Sequence, residues 1–149
     1  MGTGKAVKWP VGVGGKGNAG VAAGIKQYPG AIGYLNYGYV NGDKFQQVAL
    51  QNKAGNFVKA DAETSAAGLA QIVLDDKLRG ADPNPAGANS YPIVSLTWIL
   101  AYPESKAGVK ETLRYMLSEK AQAVSDSLGY VPLPESLRQK SLAAVDSIK

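Results

Sequence analysis

The sequence predicts an α/β fold on three observations. Stretches of β-branched and aromatic composition, "AIGYLNYGYV", "FQQVALQN" and "YPIVSLTWILAY", are interspersed with segments whose apolar residues recur every three or four positions. Glycine and proline punctuate the changes between the two patterns. Glycine is concentrated before Gly55 and the last third is helix-rich, yet no low-complexity linker or internal repeat divides the chain.

The short apolar stretch "AVKWPV" leads into the glycine loop "GVGGKGN" at residues 12–18. Asn18 is the expected N-cap of a helix over residues 18–27, stopped by Pro29-Gly30. Residues 31–40 are too rich in tyrosine for a helix and read as a buried strand ended by Asn41-Gly42. "FQQVALQN" and "NFVKA" flank Lys53-Ala54-Gly55 as the two arms of a hairpin. Asp61 caps an expected helix over residues 62–74, with Leu69, Ile72 and Val73 on one face. Residues 79–90, with two prolines and two asparagines, are the most loop-like stretch. The nearly continuous apolar run over residues 91–102 has the composition of a core strand buried on both faces, so Ile99→Ala is expected to cost about 2–5 kcal/mol. From Ser105 the spacing is helical through Val109, Leu113, Met116 and Leu117, then Val124 and Leu128, until Gly129 stops it. "YVPLP" is extended, and Pro134 opens a last helix with Leu137, Val145 and Ile148 inward.

With 149 residues, 45% of them apolar and 19% charged, the chain can bury a real core as one globular domain, and no apolar run approaches the ~20 residues of a membrane helix. Sixteen basic against twelve acidic residues give +4, but the lysines are scattered and form no block, so no nucleic-acid partner is expected. The absence of cysteine and histidine removes disulfides, thiolate or imidazole metal sites, and the usual nucleophile–base pairs. No metal, cofactor or catalytic residue is assigned. Asp75-Asp76 and Glu63 can be imagined as a paired-carboxylate site, but nothing in their spacing places them together. Residues 1–4 lack the charged start and apolar centre of a signal peptide, which reads as a cytosolic chain or a trimmed one.

The glycine loop admits three readings. A phosphate-cradling Walker loop is not among them, because counting back from Lys16 puts Pro10 where its first glycine belongs, and Gly17 stands where Ser or Thr must follow the lysine. Residues 12–17 do satisfy G-x-G-x-x-G, but Leu35-Asn36-Tyr37 stands where a dinucleotide site expects its ribose-binding acid. The loop can instead be a close backbone approach with Asn18 as cap and no ligand. Third, free amides at a helix start beside one lysine make an anion-attracting surface, with Gly15, Lys16, Gly17 and Asn18 as its candidate residues.

"VKWPVGVGGKGNAGVAAGIKQYPGAIGYLNYGYV", "YPIVSLTWILAY" and the late "GYVPLP", in this order and with compatible spacing, resemble the C-terminal half of the periplasmic phosphate-binding proteins that feed Pst-type ABC importers. The resemblance runs from about Gly2 to Lys149. It implies a type II periplasmic-binding-protein fold, two α/β lobes closing on one phosphate ion. Residues 2–90 would form part of the second lobe, and residues 91–149 the crossover strand and helices of the first. It also implies a non-enzymatic phosphate-binding component of an importer, a periplasmic location and an importer permease as partner.

Family members hold phosphate through Ser and Thr hydroxyls, helix-start amides, an arginine and an aspartate, and nearly all of these come from segments with no counterpart here. Ala19 stands where relatives often carry an acid. Weak or lost phosphate binding is therefore expected, together with a homodimer or pairing with a separate N-terminal half that covers open faces. A structural or assembly module is the alternative function, and a nucleotide-binding enzyme a remote one. Of the arginines, Arg114 and Arg138 are expected to pair with Glu111 and Glu135 three residues away, and Arg79 to be unconstrained. Trp9, Trp98 and the eight tyrosines read as core and lobe-interface packing.

Overall fold

Pro29-Gly30 stops the first helix as the sequence requires: α1 spans Gly17–Gln27, Tyr28 N donates to Gly24 O at 3.1 Å, and Gly30 turns the chain at φ +80°. The structure is a computed structural model that describes residues 7–43 and 45–149, so the leader reading of residues 1–4 lies outside the described residues. The chain divides into two units, Met1–Lys44 and Phe45–Lys149.

In the first unit, α1 is made largely of alanine and glycine and presents Val21 and Ile25 to residues 30–36. That segment crosses the helix at Gly33, where an added Cβ would lie 2.9 Å from Val21 Cγ1 and 2.8 Å from Ile25 Cδ1. The expected buried strand over residues 31–40 does not form. Ile32 is 88% exposed, and Asn36 O accepts from Tyr39 N and Val40 N to open a second helix, α2, over Tyr37–Asp43. A strand needs a neighbour for its backbone groups, and among the described residues of this unit none is present. Helical hydrogen bonds are local and need no such neighbour.

The second unit opens with the expected hairpin, reduced to β1, Leu50–Gln51, and β2, Phe57–Val58, paired antiparallel with Leu50 opposite Val58. Its turn is built around Asn52. Asn52 N donates to Asn56 O at 2.8 Å, its Oδ1 accepts from Ala54 N and Asn56 N, and Gly55 takes φ +89°. The buried Nδ2 donates onward to the carbonyls of Gly87, Ala88 and Ser90, fastening the hairpin to the proline-rich loop.

Asp61 caps α3, Ala62–Leu69, through a reciprocal box: Thr64 N donates to Asp61 Oδ1 at 2.7 Å and Asp61 N to Thr64 Oγ1 at 3.1 Å. The helix ends five residues short of the expected boundary, because Gln71 N and Ile72 N tighten onto Gly68 O and Leu69 O. Leu69 and Ile72 stay buried, but the tightened turn swings Val73 into solvent. Arg79 is not unconstrained. It pairs with Asp75 at 2.7 Å, and its side-chain hydrogen bond is the first cause holding the Asp75 carboxyl below the usual range.

Residues 91–102 join no strand ladder and bend at Pro92 and Ile93, which corrects the expected core strand. Among the described residues the sheet is confined to β1 and β2, and Ile93, Ile99 and Leu100 are exposed. Core packing of the aromatics is corrected with it: Trp9, Trp98 and six of the tyrosines (Tyr28, Tyr34, Tyr39, Tyr102, Tyr115 and Tyr130) are exposed, although Trp98 Nε1 still donates to Leu78 O at 2.7 Å.

The helical region after Ser105 is three pieces. α4 spans Val109–Met116, α5 spans Glu119–Gln122 with Ser118 Oγ accepting from Ala121 N, and a 3₁₀ turn over Asp126–Leu128 ends at Gly129, φ +79°. α6, Glu135–Asp146, begins after Pro134 and buries Leu137 and Val145, with Ile148 beyond its end, as the spacing predicts. Arg114 reaches across from α4 to Asp146 at 2.7 Å instead of pairing with Glu111, and Lys110 Nζ donates to the terminal carbonyls Asp146 O and Ile148 O. Arg138 does pair with Glu135, at 2.8 Å.

The Arg138 hydrogen bonds, and then that from Gln139, hold the Glu135 carboxyl below its ordinary value. A folded pKa below the unfolded one means that the pair's contribution is whole above about pH 4.3 and is lost as pH falls through the folded value. An NMR titration of the Glu135 carboxyl is expected to give a midpoint below about 4.3, returning toward it in Arg138→Ala. An unmoved midpoint in that variant would show that the arginine is not the cause. Glu135 is largely exposed, so added salt should weaken the effect.

Candidate functional site

The glycine loop lies wholly in the first unit, and three of its glycines have a structural duty. Gly12 and Gly17 take φ +110° and +64°, in the left-handed region that favours glycine. Gly15 lies against the first turn of α1, where an added Cβ would fall 2.5 Å from Val21 N and 2.7 Å from Gly20 C. Gly20 makes the reciprocal approach, with an added Cβ at 3.0 Å from Gly15 C. The loop therefore folds back onto the helix that it starts, backbone against backbone.

Lys16 occupies the N-cap position in extended conformation, and its carbonyl accepts the first helical hydrogen bond from Gly20 N at 3.2 Å. No side chain caps this end. Asn18, expected to do so, lies inside the helix, and its Oδ1 accepts from Asn36 N at 2.8 Å, tying α1 to the start of α2. The first-turn amides of α1 thus have no intrahelical acceptor. The turn carries no acidic residue, and Lys16 beside it is exposed.

Chemically, this is an open helix start with the positive end of the helix dipole and one flexible cation, suited to attracting an anion. It brings Gly15, Lys16 and Gly17 together as a surface and turns the Asn18 oxygen toward Asn36. Residues 7–43 contain neither serine nor threonine, so no hydroxyl of this unit can add to an anion's hydrogen bonds. Among the described residues, neither the stretch before the loop nor residues 31–36 forms a strand, and the βαβ frame of a dinucleotide site is not built. Of the carboxylates considered, Asp75 is committed to Arg79. Among the described residues no three acidic side chains gather into a metal-binding group. The sequence reading missed Gly20 and Asn36. A second glycine one turn into the helix was the available signal for the first; the second depends on a contact eighteen residues away.

No family model matches the chain. It is 36% identical to the phosphate-binding protein PstS of Pasteurella multocida over 147 residues, which cover 94% of this chain and 42% of that protein. The phosphate-binding protein PstS of Methanocaldococcus jannaschii is 33% identical over an alignment of 177 residues, covering 100% of this chain and 44% of its own. That of Xylella fastidiosa is 38% identical over 146 residues, 92% of this chain and 39% of its own. The chain is a sequence relative of the phosphate-binding proteins PstS. It spans about two fifths of the length of these relatives, a share consistent with their C-terminal half. The similarity includes both described units, since the shared region is nearly the whole chain.

Proposed function

We propose that this chain is the phosphate-binding component of an ABC phosphate importer, present as its C-terminal half and lacking most of the phosphate ligands. The observation that carries the reading is the nearly full-length match to proteins named for phosphate binding. The open start of α1, with Lys16 exposed and no acid in its first turn, agrees with it in charge. The role is binding and not catalysis. By the same relationship the fold is of the type II periplasmic-binding-protein kind, with residues 2–90 in the second lobe and residues 91–149 forming the crossover and first-lobe helices. The location is periplasmic, and the partners are an importer permease and either a second copy or an N-terminal half. Among the described residues no helix is long and apolar enough to cross a membrane.

Phosphate is strongly hydrated, and capturing it requires several charge-assisted hydrogen bonds to replace the water lost. Helix-start amides and one exposed lysine supply too few. Isothermal titration of the purified chain with inorganic phosphate is expected to give millimolar binding or none. Micromolar affinity would overturn the reading that most ligands are missing.

A further inference from the structure

Among the described residues, Leu78 is the one non-glycine residue at positive φ, +57°. It ends a short turn in which Leu78 N donates to Asp75 O and Asp75 N to Arg79 O, both at 2.9 Å. A turn of this kind closes on a residue in the left-handed region, the place that glycine usually fills, and a leucine held there is strained. One carboxylate offsets that strain. Asp75 Oδ1 accepts from Lys77 N at 2.9 Å and Arg79 N at 2.8 Å, on either side of Leu78, and Oδ2 accepts from Arg79 Nε at 2.9 Å. The loop has no slack behind it, because Gly80 lies so close to Val73 O that no Cβ would fit there. The carbonyl that the strained residue presents is the one that Trp98 Nε1 reaches at 2.7 Å, from twenty residues on. Among the described residues this is the only hydrogen bond that ties residues 93–101 to another part of the chain.

We propose that residues 75–79 and Trp98 form a two-position latch, engaged while Asp75 holds Leu78 at positive φ and released when Leu78 relaxes to negative φ and withdraws its carbonyl from the indole. Asp75 is a positioning residue, acting on Trp98 through Leu78. Its carboxylate bonds are complete only in the engaged position, and the backbone strain is relieved only in the released one. Two opposed terms therefore set the balance between the positions. Both partners of the Asp75–Arg79 pair are open to solvent, as the low-cost openings of a folded chain require. In the two-lobe arrangement of the proposed function, on which this use rests, the latch decides whether the crossover is tied to the second lobe. The latch itself rests only on the loop and the indole.

The test reads the Trp98 indole in a Trp9→Phe background, by NMR exchange of its Nε1–H and by its emission. Asp75→Ala removes the holding carboxylate. The Nε1–H is then expected to exchange at least about tenfold faster, a shift within what relief of left-handed strain supplies, with emission moved to the red. Leu78→Gly is expected to leave exchange unchanged or slower, because glycine takes positive φ without being held. For the same reason the double variant is expected to return to within about threefold of the parent. Far-ultraviolet circular dichroism should match the parent in all three, since Asp75 is exposed and the loop lies outside helix and strand. Unchanged exchange in Asp75→Ala overturns the proposal. So does a double variant as fast as Asp75→Ala, which would mean that the carboxylate is not holding strain. Faster exchange in Leu78→Gly alone also overturns it, by making the leucine side chain the tether. Loss of the circular dichroism signal in Asp75→Ala does the same, because the carboxylate would then hold the fold and not a latch. Phosphate plays no part in these readings, so titration with phosphate and the latch fail separately.

Discussion

Gly15→Ala is expected to destabilise the first unit by about 3 kcal/mol, the upper end of what overpacking costs. The new methyl would meet Val21 N, Gly20 C and Val21 Cα at 2.5, 2.7 and 2.9 Å, all backbone atoms of a helical turn. A flexible side chain could rotate away; these atoms can move only if the loop lifts off α1 or the first turn unwinds. Gly14→Ala is the matched control. An added Cβ there meets nothing within 4 Å and the residue does not sit at positive φ, so the change should be neutral or stabilising by about 0.4–1 kcal/mol through the unfolded chain. Native-state amide exchange in α1 measures both. Equal protection in the two variants would show that the close approach is not held in solution.

Leu137→Ala is expected to cost about 2–5 kcal/mol, the transfer loss of a leucine side chain plus a cavity term. Leu137 is only 3% exposed and lies in the first turns of α6, next to Arg138, whose guanidinium spans from Glu135 to Leu117 O. Ile99→Ala gives the contrast. The sequence reading placed Ile99 in a core strand with a cost of the same size, but the residue is 57% exposed and the substitution should cost under about 0.5 kcal/mol in the isolated chain. Urea unfolding followed by circular dichroism, with midpoints compared at equal slope, separates the two. A cost for Ile99→Ala matching that of Leu137→Ala would mean that residues 91–102 are packed after all.

The features that were legible in the sequence are those whose physics is local. Pro29-Gly30 ends α1, Asp61 with Thr64 starts α3, Gly129 stops the 3₁₀ turn and Pro134 precedes α6, each through atoms a few residues apart. The buried face of α6 was equally legible, since Leu137 and Val145 follow from helical spacing alone. The hairpin was legible too, in reduced form, but the long strands were not, because β-branched and aromatic composition describes a preference and a ladder partner must fulfil it. Residues 31–40 and 91–102 have that composition without a partner among the described residues, and the first of them ends in helix α2. Ion pairing divided along the same line. Arg138 found Glu135 on its own helix, whereas Arg114 found Asp146 thirty-two residues away. At the candidate site, glycine signalled a close approach and Lys16 a cation, but the engagement of Asn18 by Asn36 N could only be read from the folded chain.

The side chain of Asn52 makes the chemical longevity of the second unit depend on its folding. Its amide nitrogen serves three carbonyls and its oxygen two backbone amides. Hydrolysis of that amide to a carboxylate would exchange a double donor for an acceptor and set a negative charge against the oxygens of Gly87, Ala88 and Ser90. The five hydrogen bonds also hold the carboxamide still, which hinders the rotation that lets the next backbone nitrogen attack it. An asparagine in an ordinary turn ages at the pace of its loop. Asn52 ages at the pace at which the hairpin and the proline-rich loop come apart, and once converted it hinders their rejoining.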